Sequence, residues 1–401
     1  MGKRKSLENL IIGDLLTIGF NFRVNDLNEV LEVKFKEGDW MELNDITDAR
    51  INLAMRNIGY GKGKEKPGIT AMHEAILVLA DRARYNPVKD YFNSLEGKYT
   101  PNADGPYFNH QLSRFLTNPD EQFEDWFFKF KVGVIAKIYE AERNPMLVLV
   151  GPQDMGKSRL TSWICPLPKF YLEAGVPNPD DKDNKILVLE TIIWEVAELE
   201  STINRAELGA FKAFITNRFA RVRPPYGRRP IQKPIPASFV GTVNYNGAGF
   251  LNDPSGSTRY LACEITHIDY EGYTKVCNVD DQWAEAFWYY KNIPGCWKLT
   301  QEEKARRNEI NEKFEVVSGL EIAVEEHFTI TKDDNDFIHT SDLRRILVEN
   351  GYRIGNENAF PSSLGSVLTK KGLKTARRRI KGKNLRGWIG IKEDKKERVN
   401  F

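Results

Sequence analysis

"LVLVGPQDMGKSRL", residues 147–160, joins an apolar run to a glycine, four variable residues and the triplet Gly156-Lys157-Ser158. The pattern is GxxxxGK[ST], and its flanks are those the motif needs: the apolar "MLVLV" predicts a strand running in, and "KSRLTSWI" a helix running out. Glycines at 151 and 156 let the backbone curl, so that its N–H groups and the helix N-terminus face phosphate oxygens. Gly151, Pro152, Gln153, Asp154, Met155, Gly156, Lys157, Ser158 and Arg159 are therefore the candidate nucleotide-binding segment. Lys157 would reach the β and γ phosphates of ATP, and Ser158 would hold Mg2+. The competing reading, a chance strand-turn-helix, has to match every fixed position by accident.

Hydrolysis needs more than a phosphate cradle: a carboxylate near magnesium and a group that orients water. Further along comes "ETIIWEVAELE", where Ile192-Ile193-Trp194 reads as a buried strand with Glu195 at its edge and Glu198 just beyond. Glu195 can support the magnesium shell and Glu198 can polarise water; two solvated glutamates at a strand end is the bland alternative. "PIPASFVGTVN" is another apolar strand, ending in Asn244, a neutral donor and acceptor suited to orienting water or sensing the γ-phosphate. "LNDPSGSTRYLACEI" then sets Arg259 on a polar turn before a strand, where it can reach a phosphate held by a neighbouring subunit. Alone, Arg259 reads better as a surface ion pair; the ordered series makes the functional reading.

The wider chain sets bounds. At 401 residues and 41% hydrophobic content it can build several cores. No run of eighteen or more apolar residues predicts a membrane span, and the first residues lack the apolar core and cleavage site of a secretory signal, so the expectation is a cytoplasmic protein. Cys165, Cys263, Cys277 and Cys296 form no CxxC pair, so neither a zinc site nor a disulfide framework is expected. The net charge of +2 means that any nucleic-acid surface must come from local clustering.

Periodicity divides the chain into an N-terminal α+β domain (1–85), a helical collar (86–143), an α/β domain (144–300) and a basic C-terminal domain (310–401). The first contains an expected hairpin about "VNDLN", followed by the helical "DITDARINLAMRNI". Its "GYGKGKEKPG" reads as a connection rather than a nucleotide loop, since no strand precedes it.

The series resembles the virulence-associated protein E family of phage and mobile-element ATPases, itself similar to the superfamily 3 helicases of the AAA+ class. The resemblance rests on "YNPVKDYFNSL", "GPQDMGKS", "IIWEVAELE", "FKAFITNRFARVRPPYGRRP", "FVGTVN" and "FLNDPSGSTRYL", covering roughly residues 85–265. It implies a AAA+ P-loop ATPase core, with Lys157 and Ser158 as the nucleotide-binding pair, Glu195 and Glu198 as the acidic motif, Asn244 as first sensor and Arg259 as arginine finger. One departure is visible: family members often carry two adjacent arginines before the aromatic, whereas here Thr258 precedes Arg259.

Two regions are candidates for DNA. The insert "NRFARVRPPYGRRP" carries Arg218, Arg221, Arg223, Arg228 and Arg229 around Tyr226, a combination that can track a single strand and stack on a base. The resemblance places a DNA-touching hairpin here; a subunit-interface loop is the alternative. Near the C-terminus, two helices, "HTSDLRRILVENGY" and "NAFPSSLGSVLTKKGL", precede a hairpin with an expected Gly-Lys-Asn turn, the layout of a winged helix-turn-helix. Lys370, Lys371, Lys374, Arg377, Arg378, Arg379, Lys381, Lys383 and Arg386 would face duplex phosphates, with Ser362, Ser363 and Ser366 on a helix in the major groove.

The expectation is an ATP-driven DNA helicase or replication initiator of a phage or mobile element, acting as a homo-oligomeric ring that the resemblance suggests is a hexamer. The alternative is an ATP-switched DNA-binding regulator or loader that does not translocate. No polymerising domain is legible in the first hundred residues, so a primase or polymerase would be a separate partner.

Overall fold

The structure, a computed structural model, describes residues 7–61, 68–102, 105–178, 181–199, 211, 215–223, 229–244, 249–251, 257–380 and 383–394. Tyr226, Arg228 and Lys381 lie outside the described residues, as do 62–67 of the glycine- and lysine-rich connection and the side chain of Lys383. The chain forms two compact units, 1–247 with 257–312, and 248–256 with 313–401.

In the first unit, Phe20–Asn25 and Val30–Phe35 pair antiparallel as the expected hairpin, flanked by Met41–Glu42 and by Arg84–Tyr85. Alternation buries Phe20, Phe22, Val24, Leu31 and Val33 in one cluster with residues of helices Leu7–Ile18, Asp45–Asn57 and Ile69–Asp81. Asn44 starts the second helix by accepting the N–H groups of Ile46 and Thr47, and the Thr47 hydroxyl accepts the Asn44 N–H in return. Helix Leu7–Ile18 is absent from the sequence reading. Its leucines and isoleucines surround much of the axis, so no single stripe marks it; only Ile11, Ile12 and Leu15 are buried, while Leu7, Leu10 and Leu16 are exposed.

Helices Pro87–Ser94, Tyr107–Ser113, Phe123–Glu140 and Val279–Asn292 follow in the same unit. Phe123–Glu140 is buried along most of its length, two lysines included. The Lys131 ammonium donates to Gln282 Oε1 at 2.5 Å, and burial lowers its pKa to about 8. Glu285 accepts the N–H groups of Phe108 and Asn109 at 2.8 Å each, placing a carboxylate at the N-terminus of Tyr107–Ser113.

The centre of the unit is a five-stranded parallel sheet in the order Tyr260–Glu264, Met146–Gly151, Ser238–Asn244, Ile193–Val196, Tyr171–Ala174. Met146–Gly151 is buried throughout and Ser238–Asn244 in all but its last residue, as an unbroken apolar run requires when both sheet faces are covered. Gly151 pairs with Asn244. Parallel pairing thus brings the carboxyl ends of these strands to one edge, where open α/β sheets hold their ligands.

The arginine-rich insert contributes Phe219–Val222 and Ile231–Pro234, an antiparallel pair. Phe219, Arg221 and Arg223 share its exposed side, whereas Ala220 and Val222 are buried. Arg218 points elsewhere: its guanidinium donates to the Ala141 carbonyl at 2.6 Å, just past helix Phe123–Glu140.

The second unit holds helices Gly319–His327, Thr340–Glu349 and Phe360–Lys370 around a core of Leu343, Leu347, Leu364, Leu368 and Trp388. Strands Phe337–His339, Lys383–Ile389 and Lys374–Ile380 form an antiparallel sheet with the long strand in the middle. The hairpin register closes on Ile380–Lys383, so Lys383 and Asn384 belong to the strand and not to the expected Gly-Lys-Asn turn. No helix among the described residues is long and apolar enough to cross a membrane.

Candidate functional site

The loop from Gly151 to Ser158 leaves the sheet at its carboxyl edge. Gly151 has no room for a side chain, since a Cβ there would fall 2.1 Å from the Ile265 carbonyl. Gly156 has φ +97°, a left-handed value that glycine adopts without strain, and it starts helix Lys157–Ile164.

Lys157 is buried at 6% exposure. Its ammonium donates to the carbonyls of Gly151 at 2.9 Å and Pro152 at 2.6 Å and to Asn244 Oδ1 at 3.2 Å. Lysine and asparagine, 87 residues apart, therefore meet at the strand ends. One strand further, the Ser158 hydroxyl donates to Glu195 Oε1 at 2.5 Å.

Glu195 lies within Ile193–Val196, one residue short of its carboxyl end and at 0% exposure, so the solvated-glutamate alternative does not describe it. Burial pushes its carboxyl up from the ordinary range, against the opposing hydrogen bonds from Ser158, Tyr171 and Thr242. Tyr171 donates to Oε2 at 2.5 Å and Thr242 to Oε1 at 3.3 Å. Sequence reasoning missed both. Thr242 had a signal, standing two residues before Asn244 on one face of the same strand. Tyr171 had none: its strand neighbours Ile193–Val196 only through the sheet order.

Gln153 and Asp154 are exposed, and Met155 lies against Gly151. Arg159 is exposed on the first helical turn, its guanidinium 5.3 Å from the Tyr270 ring centroid. Tyr270 in turn meets Tyr273 edge to face.

Glu198 is exposed on a turn two residues beyond its strand, with φ +49°. Arg259 is half-buried at the other end of the sheet, where its carbonyl accepts the Met146 N–H at 2.9 Å. Met146 and Gly151 are opposite ends of one strand, so Arg259 sits about 16 Å from the sheet edge that carries the Gly151–Ser158 loop at the usual rise per residue.

Of the basic candidates, Arg221, Arg223 and Arg229 are exposed. Lys370 pairs with Glu315 and Glu321, and Lys371 with Glu321 and Glu325. Arg378 donates to the carbonyls of Asp334 and Asn335 and lies over the Phe337 ring. Arg377 and Arg379 are exposed.

A parallel α/β sheet with a lysine, a serine, an asparagine and a buried glutamate gathered at its carboxyl edge defines the class. The chain belongs to the virulence-associated protein E family: the sequence model of the Virulence-associated protein E-like domain matches residues 100–316, more than half of its length. No curated protein matches it in sequence. Among solved structures it is similar to the apo structure of the NrS-1 C terminal region, with a TM-score of 0.53 at 15% identity over 97% of this chain and 100% of that one. An A form of the same region matches at a TM-score of 0.48 and 14% identity, over 95% and 98% of the two chains. The first of these shows a shared mixed α/β fold along nearly the whole chain.

Proposed function

We propose that the chain is an ATP-dependent DNA helicase or replication initiator of a phage or mobile element, with a AAA+ motor hydrolysing ATP at the interfaces of a ring. The observation that carries this reading is the convergence of Lys157 with Asn244 and of Ser158 with Glu195 at one sheet edge.

The residues fit the cofactors. A hydroxyl and one carboxylate suit magnesium, which takes few protein oxygens and keeps several waters. When bound, magnesium would neutralise charge developing on the β and γ phosphates. Lys157, already at the start of the helix, would hold the phosphates. Asn244 would orient the attacking water, and Glu198, exposed beyond the strand, would polarise it. Arg259 lies at the far end of its own sheet, which suits a finger offered to the neighbouring subunit's nucleotide and so supports a ring, hexameric by family resemblance.

In this reading residues 1–85 and 86–143 form an N-terminal domain and collar, 144–300 the motor, and 310–401 a winged-helix DNA-binding domain. Phe219, Arg221 and Arg223 on the exposed side of the insert hairpin would face single-stranded DNA, an aromatic for stacking and cations for phosphates. A primase or polymerase would be supplied by another chain.

The test is ATP-dependent strand displacement on forked DNA, with Lys157→Ala as control. Unwinding by wild type alone supports the motor. ATP hydrolysis and DNA binding without unwinding would instead favour an ATP-switched loader or regulator.

A further inference from the structure

The C-terminal unit carries a groove of about 900 Å3 between helix Phe360–Lys370 and the basic hairpin, with Ser362, Gly365, Ser366 and Thr369 on the helix side and Thr375 and Arg386 on the hairpin side. We infer that this groove cradles the sugar-phosphate backbone of duplex DNA without reading its base sequence. The inference deepens the DNA-binding part of the proposed function and does not depend on the nucleotide site.

Strand register sorts the cations. Thr375 pairs with Trp388, Arg377 with Arg386, and Arg379 with Asn384. Directly opposed residues share a face, and residues two apart along a strand share it too. Trp388 on that face is buried in the helical core, so Arg377, Arg386 and Arg379 extend the same helix-facing side outward along the hairpin. All three are exposed and, among the described residues, none forms an ion pair. Arg378 alternates to the opposite face, where loop carbonyls hold it. Of the run of three arginines, two thus share the hairpin face on which Arg386 lines the groove.

The helix side is poor in base-reading groups. Direct readout in the major groove relies on long side chains with paired donors or acceptors, chiefly arginine, lysine, asparagine and glutamine. Here the exposed positions offer short hydroxyls and a glycine, which suit close approach to a backbone and hydrogen bonds to phosphate. Lys370, the one long cation of this helix, also lines the groove, but Glu315 and Glu321 engage its ammonium. Asn358, ahead of the helix, does not line the groove. A single strand is the poorer occupant, because its binding sites rely on exposed aromatics for stacking, and the groove's tryptophan, Trp388, is only 7% exposed.

The test is fluorescence anisotropy of the full chain without nucleotide, on short duplexes of equal length and unrelated sequence and on one matching single strand, across a salt series. The expected result is affinity equal among duplexes to within about threefold and a steep salt dependence. Arg377→Ala, Arg379→Ala and Arg386→Ala should each lower the slope of log affinity against log salt by about 1, while the lysine variants restore it and Arg378→Ala leaves it unchanged. Preference for one duplex by about 100-fold or more would overturn sequence tolerance. An unchanged slope in all three alanine variants, or a larger loss of single-strand than of duplex affinity in them, would remove the groove as a duplex site. These measurements use no nucleotide, so failure of the ATP-site reading leaves this result intact.

Discussion

The Ser158 hydroxyl donates to Glu195 Oε1 at 2.5 Å, joining the first turn of the loop-borne helix to a fully buried strand two positions across the sheet. In the proposed function this hydroxyl and carboxylate would hold magnesium. Glu195→Gln keeps the shape of this contact but removes the charge. The expected outcome is retained ATP binding with turnover reduced by about 100-fold or more, read by steady-state phosphate release beside equilibrium binding of a fluorescent nucleotide.

Tyr171 would act as a positioning residue in the proposed function, since its hydroxyl holds the other oxygen of Glu195 at 2.5 Å. That hydrogen bond favours the ionised carboxylate against the burial that disfavours it. Tyr171→Phe should therefore raise the Glu195 pKa further and move the acidic limb of the rate-versus-pH profile to higher pH. Nucleotide affinity above that limb should stay near wild type. A profile that keeps its acidic limb while overall stability falls would mean that the contact matters for folding alone.

Arg259 lies at the amino end of its sheet, bonded through its carbonyl to Met146. If it serves a neighbour's nucleotide, Arg259→Ala should bind ATP normally and lose turnover by about 1,000-fold or more. Mixing it with Lys157→Ala should then restore part of the activity, because some interfaces combine an intact loop with an intact finger. Phosphate release across a mixing series measures this; absence of rescue together with wild-type-like turnover of the single variant would remove the finger assignment.

Lys137 is 1% exposed, and its ammonium lies 5.7 Å from the Phe239 ring centroid. Burial lowers its pKa to about 7 from the ordinary lysine value of 10.5. Between those values the unfolded chain binds the proton and the folded chain does not, so stability should rise with pH across that window and level off above it. Lys137→Met should flatten this dependence and stabilise the protein near neutrality, by an amount on the order of a few kcal/mol. Denaturant unfolding at a series of pH values checks both statements.

Much of the site was legible as local pattern. The glycine spacing located Lys157 and Ser158, and the ends of two apolar runs pointed to Glu195 and Asn244. What the pattern left out was partnership. Tyr171 begins a short edge strand with no motif around it, and it gains meaning only because that strand pairs with Ile193–Val196. The arginine run at 377–379 likewise read as one basic patch, until the hairpin register turned Arg378 to the opposite face. Helix Leu7–Ile18 went unread because its apolar residues lack a single stripe.

By itself the sequence determined the local geometry of the loop Gly151–Ser158, for which glycine freedom and a strand-to-helix transition within about ten residues suffice. It also determined which segments are buried, through unbroken or alternating apolar runs. Only the tertiary structure decided that Asn244 meets Lys157, that Ser158 and Tyr171 share Glu195, and that Arg259 stands at the opposite end of the sheet. Parallel strands are joined by long crossovers, so their order and register are set by packing among distant segments and not by any nearby stretch of chain.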